Sequence, residues 1–231
     1  MKNKKLILIG DSLFAQIAYE YFTHDSEYEV VAFAVERQYI KQKSLFEVPI
    51  TAFEDLEKEF SAQEHYFYCA IPYNQLNRLR TRLYLSAKEK GYKPASYISS
   101  RAFVWRNTKL GEHLFIFEDN TIQPFVEIKD NVVLWSGNHI GHHSKIGKHT
   151  FISSHVVISG NVDIGESCFF GVNSTIINNL KISDDTLVGA GALVTRDTKE
   201  GNMIKGTSGQ VGSTTSWDYF ELPNSRAREG A

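Results

Sequence analysis

Five of the chain's eight histidines, His139, His142, His143, His149 and His155, fall within seventeen residues. A neutral imidazole can take a proton from an attacking nucleophile near pH 7, and several together can hold a zinc ion. The same residues could equally be plain surface residues of an exposed element. Spacing separates them. His143, His149 and His155 recur every six residues, whereas His142 stands eighteen residues before Gly160 and His155 eighteen before Asn173. A glycine stacked on a histidine exposes a backbone N–H beside the ring, so His142 and Gly160 would together supply a general base and an oxyanion donor.

A second set lies near the start, in Ile9-Gly10-Asp11-Ser12-Leu13. A turn from strand into helix is where phosphate commonly meets a helix N-terminus. Asp11 and Ser12 occupy places where a dinucleotide fingerprint needs more glycine, which argues against a nicotinamide cofactor. A diphosphate half-site and a plain strand–helix turn both remain open, with Glu36 after the second strand as a candidate for ribose or base contact. Gly-Asp-Ser-Leu also resembles the GDSL esterases with Ser12 as nucleophile. Those enzymes need a late Asp-x-x-His, and the last histidine here is His155.

Two kinds of element must position these residues. Up to about Ser96, strand-like and helix-like segments alternate. Leu6–Ile9, Glu29–Val35 and Tyr66–Ile71 read as strands, and Leu13–Phe22, Ala52–Ala62 and Asn74–Lys90 as helices. That alternation predicts a small parallel, Rossmann-like α/β sheet over residues 1–96. From Ile98 an apolar residue recurs every six positions through Ile116, Ile140 and Ile158 to Val194. Four positions later stands a small or apolar side chain, and glycine often follows the key residue. This period predicts a triangular prism of stacked hexads, a left-handed parallel β-helix over residues 97–205, with glycine relieving each turn. Three hexads make a coil, so residues eighteen apart lie one above the other, about 4.8 Å apart. His143, His149 and His155 then point outward from three different edges. Residues 206–231 read as a cap and tail, in which Trp217, Tyr219 and Phe220 pack on another surface and Asn224 onward is disordered.

Composition narrows the function classes. A net charge of -2 leaves no basic footprint for nucleic acid. Two cysteines, Cys69 and Cys168, make no disulfide framework and read as core thiols. No apolar run approaches the roughly 20 residues of a membrane span, and the start lacks a secretory h-region, so the expected location is the cytoplasm.

The stretch Ile140-Gly141-His142-His143-Ser144-Lys145-Ile146-Gly147, with Ser159-Gly160-Asn161-Val162-Asp163-Ile164-Gly165, Gly171-Val172-Asn173-Ser174 and Gly189-Ala190-Gly191-Ala192, resembles the sialic-acid O-acetyltransferase-like family. That family includes bacterial bacillosamine and perosamine N-acetyltransferases, which also place a small α/β domain before the β-helix. The resemblance implies an acetyl-CoA-dependent N-acetyltransferase without a metal, acting on a nucleotide-linked 4-amino-4,6-dideoxy sugar for bacterial surface glycans such as lipopolysaccharide. It implies a homotrimer with active sites between subunits and no nucleic-acid or membrane partner. His142 matches the base and Gly160 the backbone donor, while Val172, Ala190 and Gly206 match positions that meet acetyl-CoA. Gly10, Asp11, Ser12, Glu36, Asn138, His155 and Asn173 are the expected substrate contacts. Two departures stand out. The residue after the base is usually acidic and here is His143, the third expected catalytic residue, and the usual late Gly-Val-Pro is replaced by Gly206-Thr207-Ser208. Rival readings are a sugar or sialic-acid O-acetyltransferase, a zinc lyase of the γ-carbonic-anhydrase type, and a non-enzymatic β-helix scaffold.

Overall fold

The structure is a computed structural model that describes residues 2–222. The segment from Asn224 onward lies outside the described residues.

The first part of the chain runs β1 (Lys4–Ile9), α1 (Leu13–His24), β2 (Tyr28–Val35), β3 (Ser44–Leu45), β4 (Val48–Ala52), α2 (Leu56–Glu59), β5 (His65–Cys69), α3 (Arg78–Glu89) and β6 (Lys93–Pro94). The sheet order is β3-β4-β2-β1-β5-β6, and every pairing is parallel except β3 with β4. Leu6, Ile7, Leu8 and Ile9 are wholly buried because β1 lies at the centre with helices on both faces. The β3–β4 hairpin and β6 escape a reading of the sequence because they are too short to show a period.

Helix α3 starts at Arg78, four residues later than the sequence pattern predicts. Gln75, Leu76 and Asn77 have φ of 53°, 47° and 68°, a left-handed stretch no helix can contain. The cause is tertiary. Asn77 is fully buried, and its side-chain amide donates to the carbonyls of Ser167 and Cys168, 3.3 and 3.1 Å away on the prism.

From Tyr97 the chain winds as a left-handed parallel β-helix of two-residue strands in three sheets. The first sheet runs from Tyr97–Ile98 to Met203–Ile204, the second from Phe103–Val104 to Leu193–Val194, the third from Lys109–Leu110 to Lys181–Ile182. Strands eighteen residues apart pair in register, as in His139 with Val157 and Ile140 with Ile158. Key residues from Ile116 to Val194 fill the interior, whereas Ile98 is 38% exposed because no coil lies beneath it. After Val188 the coil loses two residues, which breaks the period, yet Ile204 rejoins the sheet beside Val188.

The glycines that directly follow the key residues do not relieve the turns, although Gly137 (75°) and Gly191 (67°) do occupy the left-handed corner position. The left-handed backbone falls three residues after the key residue, at His143 (61°), His149 (64°), His155 (57°), Asn161 (58°) and Asn173 (57°). Gly141, Gly147 and Gly171 are needed instead because an added Cβ would strike the backbone of the next coil.

The outward rows of the three sheets differ, and this decides what each meets. On the first sheet Tyr97, Phe115, Val133 and Phe151 are buried against Phe14, Phe22 and Tyr68 of the α/β unit. The third sheet presents Lys109, Glu127, Lys145, Asp163 and Lys181, a charged row suited to water. The second presents Phe103, Thr121, His139, Val157, Thr175 and Leu193, with no formal charge. On it Phe103 is 52%, Val157 40% and Leu193 61% exposed.

Candidate active site on the borders of the second sheet

His142 and Gly160 stack as their spacing predicts, at the corner between the second and third sheets. A Cβ built on Gly160 would lie 2.6 Å from Cε1 and Nε2 of His142, so the ring lies flat over the glycine. The His142 N–H donates to Gln123 Oε1 at 2.9 Å, and the next coil's Asn161 N–H donates to the His142 carbonyl at 2.8 Å. The Gly160 N–H donates to no group among the described residues. By contrast, the N–H groups of Glu112 and Glu166, at matching places on another corner, are taken by Asp130 and Asp184 carboxylates. An open donor beside an imidazole suits a developing negative charge.

The remaining histidines sort by backbone. His143, His149 and His155 occupy the left-handed corner position, where histidine and asparagine are enriched, so backbone geometry explains part of their density. They stand at three different corners, and among the described residues no three His, Cys, Asp or Glu side chains converge as a metal site. His149 corrects the expectation of an outward side chain, because it is half-buried under α3. Its Nδ1 accepts from the Asn131 side-chain amide at 2.9 Å. Asn131 Oδ1 in turn accepts from His113 Nδ1 and Arg80 Nε at 3.0 and 3.1 Å, and His113 Nε2 accepts from the Cys69 N–H at 2.8 Å. His139 lies on the outward row of the second sheet.

Val172, Ala190 and Gly206 stack along the corner between the first and second sheets. The Gly191 N–H donates to the Val172 carbonyl at 2.9 Å, and Gly206 lies so close to the Ala190 carbonyl that no side chain would fit. The N–H groups of Val172, Ala190 and Gly206 also donate to nothing among the described residues. His155 and Asn173 share this border, both exposed, with the His155 ring against Gly137. The expected sites therefore flank one face, with His142 on one border and the Val172 column on the other. Asn138 is a correction. It is buried, donates to the Trp135 carbonyl and accepts from the Val156 N–H at 2.8 Å, so its amide braces the corner and has no face for a ligand.

Gly10, Asp11, Ser12 and Glu36 do come together. With Tyr39, Ile71 and Leu79 they line a cleft of about 140 Å³ at the carboxyl ends of β1 and β2. Gly10 needs its missing side chain, since φ is 113° and a Cβ would meet Ile71 Cδ1 at 2.9 Å. The Glu36 carboxylate is forked by Arg82, with both bonds at 3.0 Å, a partner that sequence spacing could not reveal. A second hollow of about 410 Å³, lined by Ser12, Leu13, Ile71, Pro72 and Asn74, adjoins it.

Residues 125–160 match the family model described as bacterial transferase hexapeptide (six repeats). The curated bifunctional protein GlmU of Anaplasma marginale (strain Florida) is 46% identical over 35 residues, which are 15% of this chain and only 8% of that protein. Two solved structures share the fold over most of the length. The acetyltransferase domain of PglB from Neisseria gonorrhoeae FA1090 is 23% identical, with a TM-score of 0.80 over 88% of this chain and 97% of that one. PerB from Caulobacter crescentus, solved in complex with CoA and GDP-perosamine, is 24% identical, with a TM-score of 0.76 over 87% and 94%. Among the described residues no helix is long and apolar enough to cross a membrane.

Proposed function

We propose that this chain is an acetyl-CoA-dependent N-acetyltransferase that acts on the amino group of a nucleotide-linked 4-amino-4,6-dideoxy sugar. The observation that carries the reading is the His142 ring lying over Gly160, whose N–H is open, on the border of an uncharged and uncovered face. The likeness to PglB and to CoA-bound PerB supports the same chemistry.

The amine attacks the thioester carbonyl while its proton passes to His142 Nε2. The Gly160 N–H donates to the carbonyl oxygen as it gains charge. Collapse breaks the C–S bond, and the proton held on His142 goes to the departing thiolate. Holding both substrates in one cleft supplies much of the acceleration. The open N–H groups of Val172, Ala190 and Gly206 suit the amide and phosphate acceptors of acetyl-CoA. The Gly10–Ser12 turn and Glu36 suit the diphosphate and ribose of the sugar nucleotide, with His155 and Asn173 near the sugar.

One prism side, at most about 20 Å across, separates the border that carries His142 from the border that carries the Val172 column. A cyclic trimer that buries the second sheet's uncharged face would bring one border of each copy to the other border of its neighbour. The active site would then be shared between copies. This chemistry belongs to surface-glycan synthesis in the cytoplasm.

The test is thiol release from acetyl-CoA with UDP-, dTDP- and GDP-linked 4-amino sugars and with free sialic acid. Release with one amino sugar, lowered about 10²–10⁴-fold in His142→Ala, supports the reading. Release with sialic acid alone would make it an O-acetyltransferase. If acetyl-CoA fails to bind at all, the acyltransferase reading is wrong.

A further inference from the structure

The Nδ1 atoms of His142 and His143 lie 3.1 Å apart, with the two rings at 85°. Two ring nitrogens at that distance need one N–H and one lone pair, so two neutral arrangements exist. In the first, His142 Nδ1–H donates to His143 Nδ1, and the lone pair of His142 sits at Nε2, over Gly160. In the second, His143 donates, and His142 carries its proton at Nε2, where it cannot accept another. Only the first makes His142 a base.

We infer that His143 is the positioning residue that selects this tautomer, its neutral imidazole doing as an acceptor what a carboxylate would otherwise do. The inference rests on the reading of His142 as the base. The geometry holds His143 for that task. Its backbone is left-handed, its N–H donates to the Pro124 carbonyl at 3.1 Å, and its ring stacks on Phe125 at 4.6 Å and 27°. The contacts to the pair from neighbouring coils come from Gln123, Pro124, Phe125, Gly160 and Asn161, none of them charged. When His142 Nε2 takes the amine's proton, its Nδ1–H donates a charge-assisted bond to His143 until the proton leaves with the thiolate.

The neutral pair in the first arrangement is the working form, so the tautomer of His142 and its response to substitution at His143 separate a positioning residue from a bystander.

Two substitutions suit the left-handed backbone. His143→Asn keeps an acceptor oxygen near the place of Nδ1, and His143→Gly removes the acceptor without strain. His143→Gly should lower kcat about 10–100-fold while KM for acetyl-CoA stays put. His143→Asn should recover most of that loss. An unimpaired His143→Gly overturns the assignment. Nitrogen NMR of the imidazoles decides it without turnover. His142 protonated at Nδ1 in wild type and His143→Asn, but not in His143→Gly, supports it. His142 protonated at Nε2 in wild type overturns it. Should no acceptor support thiol release, the acetyltransferase reading fails on its own, and the NMR result still stands.

Discussion

At the scale of single residues, two glycines in the same prism do different things. The nearest atoms to a Cβ on Gly160 are those of the His142 ring, which can swing aside, whereas a Cβ on Gly147 would strike the backbone of Gly165. Gly160→Ala should leave the melting temperature nearly unchanged and cut kcat about 100-fold, because a displaced base is a misplaced one. Gly147→Ala should cost about 1–3 kcal/mol in urea denaturation without a specific effect on kcat. Equal loss of stability in the two variants would place Gly160 among the packing glycines.

At the scale of elements, the joint between α3 and the prism turns on Arg80. Its guanidinium is wholly buried and is met by neutral oxygens. It donates to the Pro72 carbonyl at 2.7 Å, the His149 carbonyl at 2.8 Å and Asn131 Oδ1 at 3.1 Å. Burial pulls its pKa down to about 10. Arg80→Met should lower unfolding free energy by about 3–5 kcal/mol, since it leaves several carbonyls unpaired, and a denaturant midpoint measures this. Burial, reinforced by the Arg80 charge, holds His149 down at about 4 and His113 at about 3. Both stay neutral while folded but take up a proton in the unfolded chain below about pH 6.5. Stability should therefore fall as pH drops from about 6.5 toward 4, by about 1.4 kcal/mol per pH unit for each imidazole. His149→Asn, which suits its φ of 64°, should remove one of the two contributions from the measured slope.

At the scale of the whole molecule, three outward rows give three fates. The aromatic row is covered by the α/β unit, the charged row faces water, and the neutral row is left uncovered. If the proposed trimer buries that row, Leu193→Glu should give folded monomers by sedimentation, with acetyl transfer lost. A shared site also predicts complementation. His142→Ala and Ala190→Trp should each be inactive alone, yet mixed trimers should regain activity at roughly a quarter of their interfaces. No recovery on mixing would place both residues in one chain's own site.

The six-residue period determined the prism, because a coil stacks only when bulky, small and glycine positions repeat. Stacking then followed from counting, so His142 over Gly160 was legible in advance, whereas Gly206 stands only sixteen residues after Ala190 and was expected there from the family resemblance alone. The Gly10–Ser12 turn and Glu36 were also legible, from the ends of strands β1 and β2. The rest depended on contacts between distant segments. Nothing local marks Asn77 as an anchor on the prism, Arg82 as the partner of Glu36, or His149 as a residue under α3. Asn138 reads as a polar surface residue until its corner is seen to consume both ends of its amide. The row Tyr97, Phe115, Val133 and Phe151 recurs every eighteen residues, yet its meaning needed the α/β unit seated on it. A period constrains each residue against its neighbours along the chain, whereas docking is settled by which surfaces remain to be buried, and only the tertiary structure decides that.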